Sequence, residues 1–245
     1  MKSMVKKIFL ILAGVLCCGI VLLGVVWCAS LCNAAPCTQV CIEVADSLER
    51  RFVDTHELTM YLESKGYSPQ GRCVDSVDCH AIEQCLLTHD MVRDVCCYKS
   101  PFGKIHIAVN QRIPVMRVES KQCTYYVDSD RRVMPARETI HVQIPVFRGE
   151  VTTEAASGEY FDFVLWLSQE EYWGKRIQQV HVINPACLVL LQENDSAKIL
   201  LGELDGYENK LAKLHTLYTK GFERIGYPNY KEYDLRFAKQ VVGRE

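Results

Sequence analysis

The residues able to carry chemistry are seven histidines, thirteen cysteines and a few paired carboxylates. No two histidines stand four apart, the spacing that sets two imidazoles on one helix face to hold zinc. His80, next to Cys79, and His89 flank one predicted helix, where a lone histidine is expected at the surface. The cysteines form no Cys-x-x-Cys pair. Cys73, Cys79 and Cys85, with five residues between neighbours, match no common zinc pattern. Cys17, Cys18 and Cys28 fall in an apolar run and act there as small apolar residues. The others could pair in an oxidising compartment or lie in the core as thiols; the odd total of thirteen and the irregular spacing favour thiols. Glu170-Glu171 reads as a solvated helix face, and Asp128 with Asp130 as a turn. There is no Gly-x-Ser-x-Gly elbow, Ser-x-x-Lys or phosphate-cradling glycine loop, and nothing pairs a nucleophile with a base. The expectation is therefore no catalytic, cofactor-binding or metal-binding residue.

Composition narrows the class of molecule. Of 245 residues, 49% are hydrophobic and 24% charged, which suits a chain with a sizeable core and not a disordered one. The formal net charge is −2, and no basic block follows the extreme N-terminus. That argues against a nucleic-acid partner, because phosphate binding needs a clustered positive field.

Ile8 to Ala29 is an uncharged run of 22 residues. As a helix it would rise about 33 Å, enough for a hydrocarbon layer of roughly 30 Å. Lys2, Lys6 and Lys7 precede it, and no Lys or Arg follows until Arg50. That asymmetry predicts a cytoplasmic N-terminus with the rest of the chain outside. A cleaved signal peptide also starts with basic residues, but its apolar stretch usually spans only about 7–15 residues. The best small-residue site, Asn33-Ala34-Ala35, runs into Pro36, a poor place to cut, and no good lipobox precedes Cys17, Cys28 or Cys32. A short tail (residues 1–7) and an uncleaved membrane helix (8–29) are expected.

The exported part must supply the elements. Val40 to Val44 alternates as a half-buried strand. Asp54 or Thr55 can cap a helix, with Glu57 placed as in a capping box; Leu58, Tyr61 and Leu62 form its apolar stripe and Gly66 its stop. A second helix starts near Asp78 and buries Ile82, Cys85 and Leu86. Strands Val92 to Tyr98 and Lys104 to Asn110 follow, the second with Ile105, Ile107 and Val109 on one face; Gln111 to Val115 extends it, and Pro114 predicts an edge or bulge. This gives β-α-α-β-β over residues 40–118, a sheet covered on one side by two helices. Residues 119–242 read as mostly strand: Thr124 to Asp128, Arg132 to Pro135, Ile144 to Phe147, Ile177 to Ile183, Leu188 to Gln192 and Lys198 to Leu201. Two helices accompany them. Tyr160 to Gln169 carries Phe161, Val164 and Leu165 on one side, and Tyr207 to Lys220 is stopped by Gly221. Glu232 to Val242 is the last predicted strand. The fold class is α+β.

Several segments then carry a resemblance in order. Tyr125-Tyr126-Val127-Asp128 with Val133-Met134-Pro135 is similar to a "YVD…G…P" hairpin, with Arg131-Arg132 in place of the glycine. Ile144-Pro145-Val146-Phe147-Arg148-Gly149 is similar to an "LPVL.G" segment. Tyr233-Asp234-Leu235-Arg236-Phe237 with Gln240-Val241-Val242 is similar to a "DLRY…V" closing strand. Behind one membrane anchor, these resemble the FtsQ/DivIB family of bacterial cell-division proteins. The resemblance implies a single N-terminal transmembrane helix, a POTRA domain over residues 40–118 and a mostly antiparallel β domain over 119–242. It also implies a non-enzymatic divisome scaffold at the septum of the cell inner membrane, with the C-terminal domain periplasmic. Its partners would be FtsB/DivIC-like and FtsL-like division proteins, bound by strand addition to the closing strand. The implied site is Tyr233, Asp234, Leu235, Arg236, Phe237, Ala238, Lys239, Gln240, Val241 and Val242. Tyr233, Leu235 and Phe237 would face the core on one side, with Arg236 and Lys239 outward and no later strand covering the edge. Two other readings remain from the sequence: a POTRA-bearing adaptor of a transport or secretion system, and an exported thiol or metal enzyme.

Overall fold

The computed structural model describes residues 14–27, 36–45, 52–100, 103–137, 142–193, 195–226 and 230–245. Residues 14–27 form a helix (α1) whose large apolar side chains, among them Leu16, Leu22, Leu23 and Val26, are exposed. The tail and both ends of the expected membrane span lie outside the described residues. Among the described residues no helix is long and apolar enough to cross a membrane. The chain divides into two compact units, Met1–Gln111 and Arg112–Glu245. The expected boundary at residue 118 would place β4 (Pro114–Ser120) in the first unit, whereas it pairs within the second sheet.

In the first unit, β1 (Gln39–Ala45), β3 (Lys104–Gln111) and β2 (Val92–Ser100) form a sheet in the order β1-β3-β2. β1 runs parallel to β3 and β2 antiparallel to it. A parallel neighbour requires a crossover, and α2 (Thr55–Ser64) and α3 (Cys79–Leu87) supply it. Both helices start where an aspartate can take up a free N–H: Asp54 accepts from His56 at 3.4 Å and Asp78 from Ala81 at 3.1 Å. Past α2, Gly66 takes φ +77°, letting Tyr67 N–H reach Leu62 O at 2.9 Å and so pairing a carbonyl the helix end would strand. Leu58, Leu62, Ile82 and Leu86 are buried, and so are Ile105, Ile107 and Val109 on the face the alternation predicts. His89 departs from expectation. It is 7% exposed, its Nδ1 accepting from Met91 N–H at 3.3 Å and its Nε2 donating to Glu57 at 3.2 Å. His80 is the exposed one, at 77% of its side chain.

In the second unit, nine strands form one sheet in the order β12-β11-β10-β9-β8-β7-β4-β5-β6. They are β4, β5 (Thr124–Asp128), β6 (Val133–Pro135), β7 (Val146–Gly149), β8 (Ile177–Asn184), β9 (Cys187–Gln192), β10 (Lys198–Gly202), β11 (Glu232–Asp234) and β12 (Val242–Arg244). The sheet is mixed: β4 with β7, β7 with β8 and β10 with β11 pair in parallel, the rest antiparallel. α4 (Thr153–Ser157) leads into α5 (Glu159–Gln169), which buries Tyr160, Phe161, Phe163, Val164 and Leu167 and leaves Leu165 exposed. α6 (Tyr207–Thr216) does not stop at Gly221. It widens into a π turn over Leu217–Gly221 and continues as α7 (Phe222–Ile225). A Cβ on Gly221 would sit 2.7 Å from Leu217 Cδ1, so the glycine makes room inside the widened turn. Gly226, at φ +79°, ends the run.

The hairpin between β5 and β6 turns on Asp128, which is 1% exposed. One carboxylate oxygen accepts from the Asp130 and Arg132 backbone N–H groups, each at 2.8 Å; the other takes Arg112 Nη1 at 2.6 Å. Arg131, standing near the glycine of the resembled motif, adopts φ +64°. A non-glycine residue there costs about 1–2 kcal/mol. Two contacts oppose that cost: its guanidinium binds Asp162 at 2.6 Å and lies 4.5 Å from the Phe161 ring centroid. Arg131→Ala keeps the strain and loses both contacts. It should lower stability by about 1–2 kcal/mol in urea unfolding, while Arg131→Gly stays within about 0.5 kcal/mol of wild type.

Candidate functional site

The C-terminal end of the large sheet gathers the segment singled out in the sequence, though not as one strand. Tyr233 and Asp234 pair with β10 on one side and β12 on the other, through Ile199↔Tyr233, Leu200↔Asp234, Tyr233↔Gly243 and Asp234↔Val242. The expected strand Glu232 to Val242 is thus two short strands joined by a loop. β12 covers the edge that β11 was expected to leave open. The physical reason lies at Leu235: its N–H donates to Leu200 O at 2.9 Å, and beyond it the chain leaves the ladder.

Tyr233 and Leu235 are core, at 3% and 1% exposure. The Tyr233 ring sits 5.3 Å edge-on to Tyr218 and 5.8 Å from Tyr230. Burial pushes both the Tyr218 and Tyr233 hydroxyls above their ordinary range, so both stay protonated. Phe237 would have been core in an unbroken strand but is 44% exposed. Ala238, Lys239 and Gln240 are exposed in the loop, which Lys213 holds by donating from Nζ to Phe237 O at 3.2 Å and Ala238 O at 2.9 Å. Val241 packs on the core and Val242 opens β12. Gly243 and Arg244, which no sequence pattern marked, complete the terminal strand.

What fastens β12 is a buried carboxylate. Asp234 is fully buried, yet alternation had turned it outward. Its Oδ1 accepts from Arg236 Nε at 2.9 Å; its Oδ2 accepts from Arg236 Nη2 at 2.7 Å and Arg244 Nη2 at 2.9 Å. Arg244 Nη1 also meets Glu232 at 3.0 Å. Arg236 folds back across the β10 bulge at Gly202, where φ is +78° and a Cβ would come 2.8 Å from Arg236 Cγ. The Arg236 hydrogen bonds, opposed by burial and aided by the charge of Arg244, hold the Asp234 carboxyl below its ordinary 3.8.

Beside this edge lies an open groove of about 1120 Å³ between the α6–α7 run and residues 238–241. Lys213, Lys220, Arg224 and Lys239 line it. Among the described residues, no group of three or more His, Cys, Asp or Glu could hold a metal ion.

Comparison with known proteins follows the same division. Residues 113–244 match the family model described as FtsQ/DivIB, C-terminal related, and residues 35–110 match the model of a POTRA-like domain. No curated protein matches the chain.

The clasp has a pH signature. Because Asp234 is more acidic when folded, it contributes stability above about pH 4 and loses it as pH falls through the lower folded value. Hydrogen exchange in β12, relative to the intrinsic rate, should therefore accelerate from roughly pH 5 downward while the β8–β9 hairpin holds. In Asp234→Asn, β12 should exchange fast already at pH 7 and show no such acid step.

Proposed function

The chain belongs to the FtsQ/DivIB family, and on that premise we propose that it is a bitopic scaffold of the cell-division machinery. It is non-enzymatic and binds an FtsB/DivIC–FtsL-type partner by strand addition. The observation that carries this reading is β12: it ends the nine-strand order and, among the described residues, pairs with β11 alone, which would leave its outer backbone edge to another chain. The binding segment then moves from Tyr233–Val242 to Val242–Arg244. Arg236, Phe237 and Lys239 stand in the adjoining loop as side chains that a partner can read. The cationic groove alongside favours a partner whose adjoining segment is acidic.

The membrane placement belongs to the same proposal. α1 turns apolar side chains outward along residues 14–27, and Lys2, Lys6 and Lys7 precede it with no cation following until Arg50. A helix with that surface is stable in lipid, and the charge bias keeps the N-terminus cytoplasmic. The two folded units would lie on the far side of the inner membrane, at the septum.

Proline at Val242, Gly243 or Arg244, one at a time, tests the edge. The change that removes an outward N–H should abolish pull-down of the FtsB/DivIC-like partner while hydrogen exchange in the β8–β9 hairpin stays as in wild type; pull-down by all three variants would sink the reading. In cells, depletion should give filamentous, undivided cells, and a fluorescent fusion should collect at mid-cell. A uniform envelope signal with normal division would favour a POTRA-bearing transport or secretion adaptor.

A further inference from the structure

Helix α3 packs on strand β2, and each of the two elements carries a cysteine toward the other, Cys79 and Cys97. Glu83 Oε1 accepts the Cys97 backbone N–H at 2.7 Å, which lays the Glu83 face of α3 against Cys97. Cys79 stands four residues before Glu83, on the same helix face and one turn nearer the N-terminus. That register sets Cys79 beside Cys97, whose thiol it helps push up. Cys97 is 8% exposed on the helix-facing side of β2, whereas its neighbour Cys96 is exposed on the other side. Both Cys79 and Cys97 are thiols in this structure. We propose that Cys79 and Cys97 are an intramolecular disulfide site, closed by a disulfide-bonded oxidant, that staples the start of α3 to β2. It is independent of partner binding at β12.

The chemistry proceeds by exchange. Cys79, the first residue of α3 and only half-buried, is the sulfur an oxidant reaches first. Its thiolate attacks one sulfur of the oxidant's disulfide, forming a mixed disulfide and releasing the other half as a thiolate. The Cys97 thiolate then attacks the Cys79 sulfur. The Cys79–Cys97 bond forms, the mixed bond breaks and the second half leaves as a thiolate. The two protons given up by the cysteines end on the two released thiols; the pair loses two electrons and the oxidant gains them. Burial, with Cys79, Glu83 and Cys96 close by, pushes the Cys97 thiol up. The second step therefore waits on a small thiolate fraction and should quicken about tenfold per pH unit.

The test uses the full chain in detergent, fully reduced and then exposed to oxidised glutathione. Free thiols are alkylated and the non-reduced peptides identified by mass spectrometry. The expected result is a dominant Cys79–Cys97 linked peptide and a thermal transition raised by several degrees, reversed by dithiothreitol. Cys96→Ser should form the bond as well as wild type, and Cys97→Ser should stop with glutathione on Cys79. The wild-type peptide map needs no variant to fold. Stable glutathione adducts without the linked peptide at both pH 7 and pH 8.5, or an equal yield of Cys96-containing pairs, would overturn the proposal.

Discussion

A buried carboxylate cannot stay charged without partners, and the end of the large sheet is organised around meeting that demand at Asp234. Full burial of an unpaired carboxylate costs far more than one strand can return. Two guanidiniums therefore come to it, one from the loop that follows β11 and one from the strand that closes the sheet. Removing either leaves the carboxylate short of a partner, so the two short strands and the loop between them form one unit. The half-exposed guanidiniums show how the sheet can bury one charge and keep its rim polar. The position of β12 at the end of the described sheet follows from where Arg244 must stand.

That arrangement was only partly legible in the sequence. Alternation located Tyr233 and Leu235 in the core correctly, because both face one side of a real strand. It failed at Phe237, since nothing local shows that the ladder ends at Leu235. It also failed at Asp234, since period-two patterning assigns a charge to the solvent side whatever cations lie two and ten residues on. Val242–Arg244 was invisible as a strand for a simpler reason: three residues, one of them glycine, carry no periodicity. By contrast, the caps at Asp54 and Asp78, the Ile105–Ile107–Val109 face and the Asp128 turn were all readable, because each is settled within a few residues. The parallel neighbours β4, β7 and β8, and the burial of His89, depend on residues far apart in sequence. No window could have held them.

Arg131 shows how a departure from a family pattern can be absorbed. The resembled motif offers glycine because the turn needs a left-handed residue, and glycine adopts that conformation freely. Here the turn is kept and the strain accepted. The long side chain reaches α5, adding an ion pair and a ring contact that a glycine could not make. The hairpin is thereby tied to the helix packed against the sheet, as well as to its own backbone through Asp128.

The two ends of the nine-strand sheet are not chemically alike, and the difference decides which one can accept a strand. β6 ends in Pro135, which has no N–H to donate, and it is only three residues long; such an edge is blunted against pairing. β12 is equally short but carries no proline, and Gly243 adds no side chain to hinder an approaching backbone. A Cβ at Gly243 would meet the Tyr230 ring at 2.5 Å, so the ring lies against the very position that lacks a side chain. Tyr230 in turn stands edge-on to Tyr233, linking the outermost strand to the core through two rings. An incoming strand would therefore meet an open backbone held in place by the clasp at Asp234 and backed by aromatic packing. Short edges of this kind gain little from backbone pairing alone. The cationic groove lined by residues 238–241 would give such a partner a second hold, through contacts that extend past the three residues of β12.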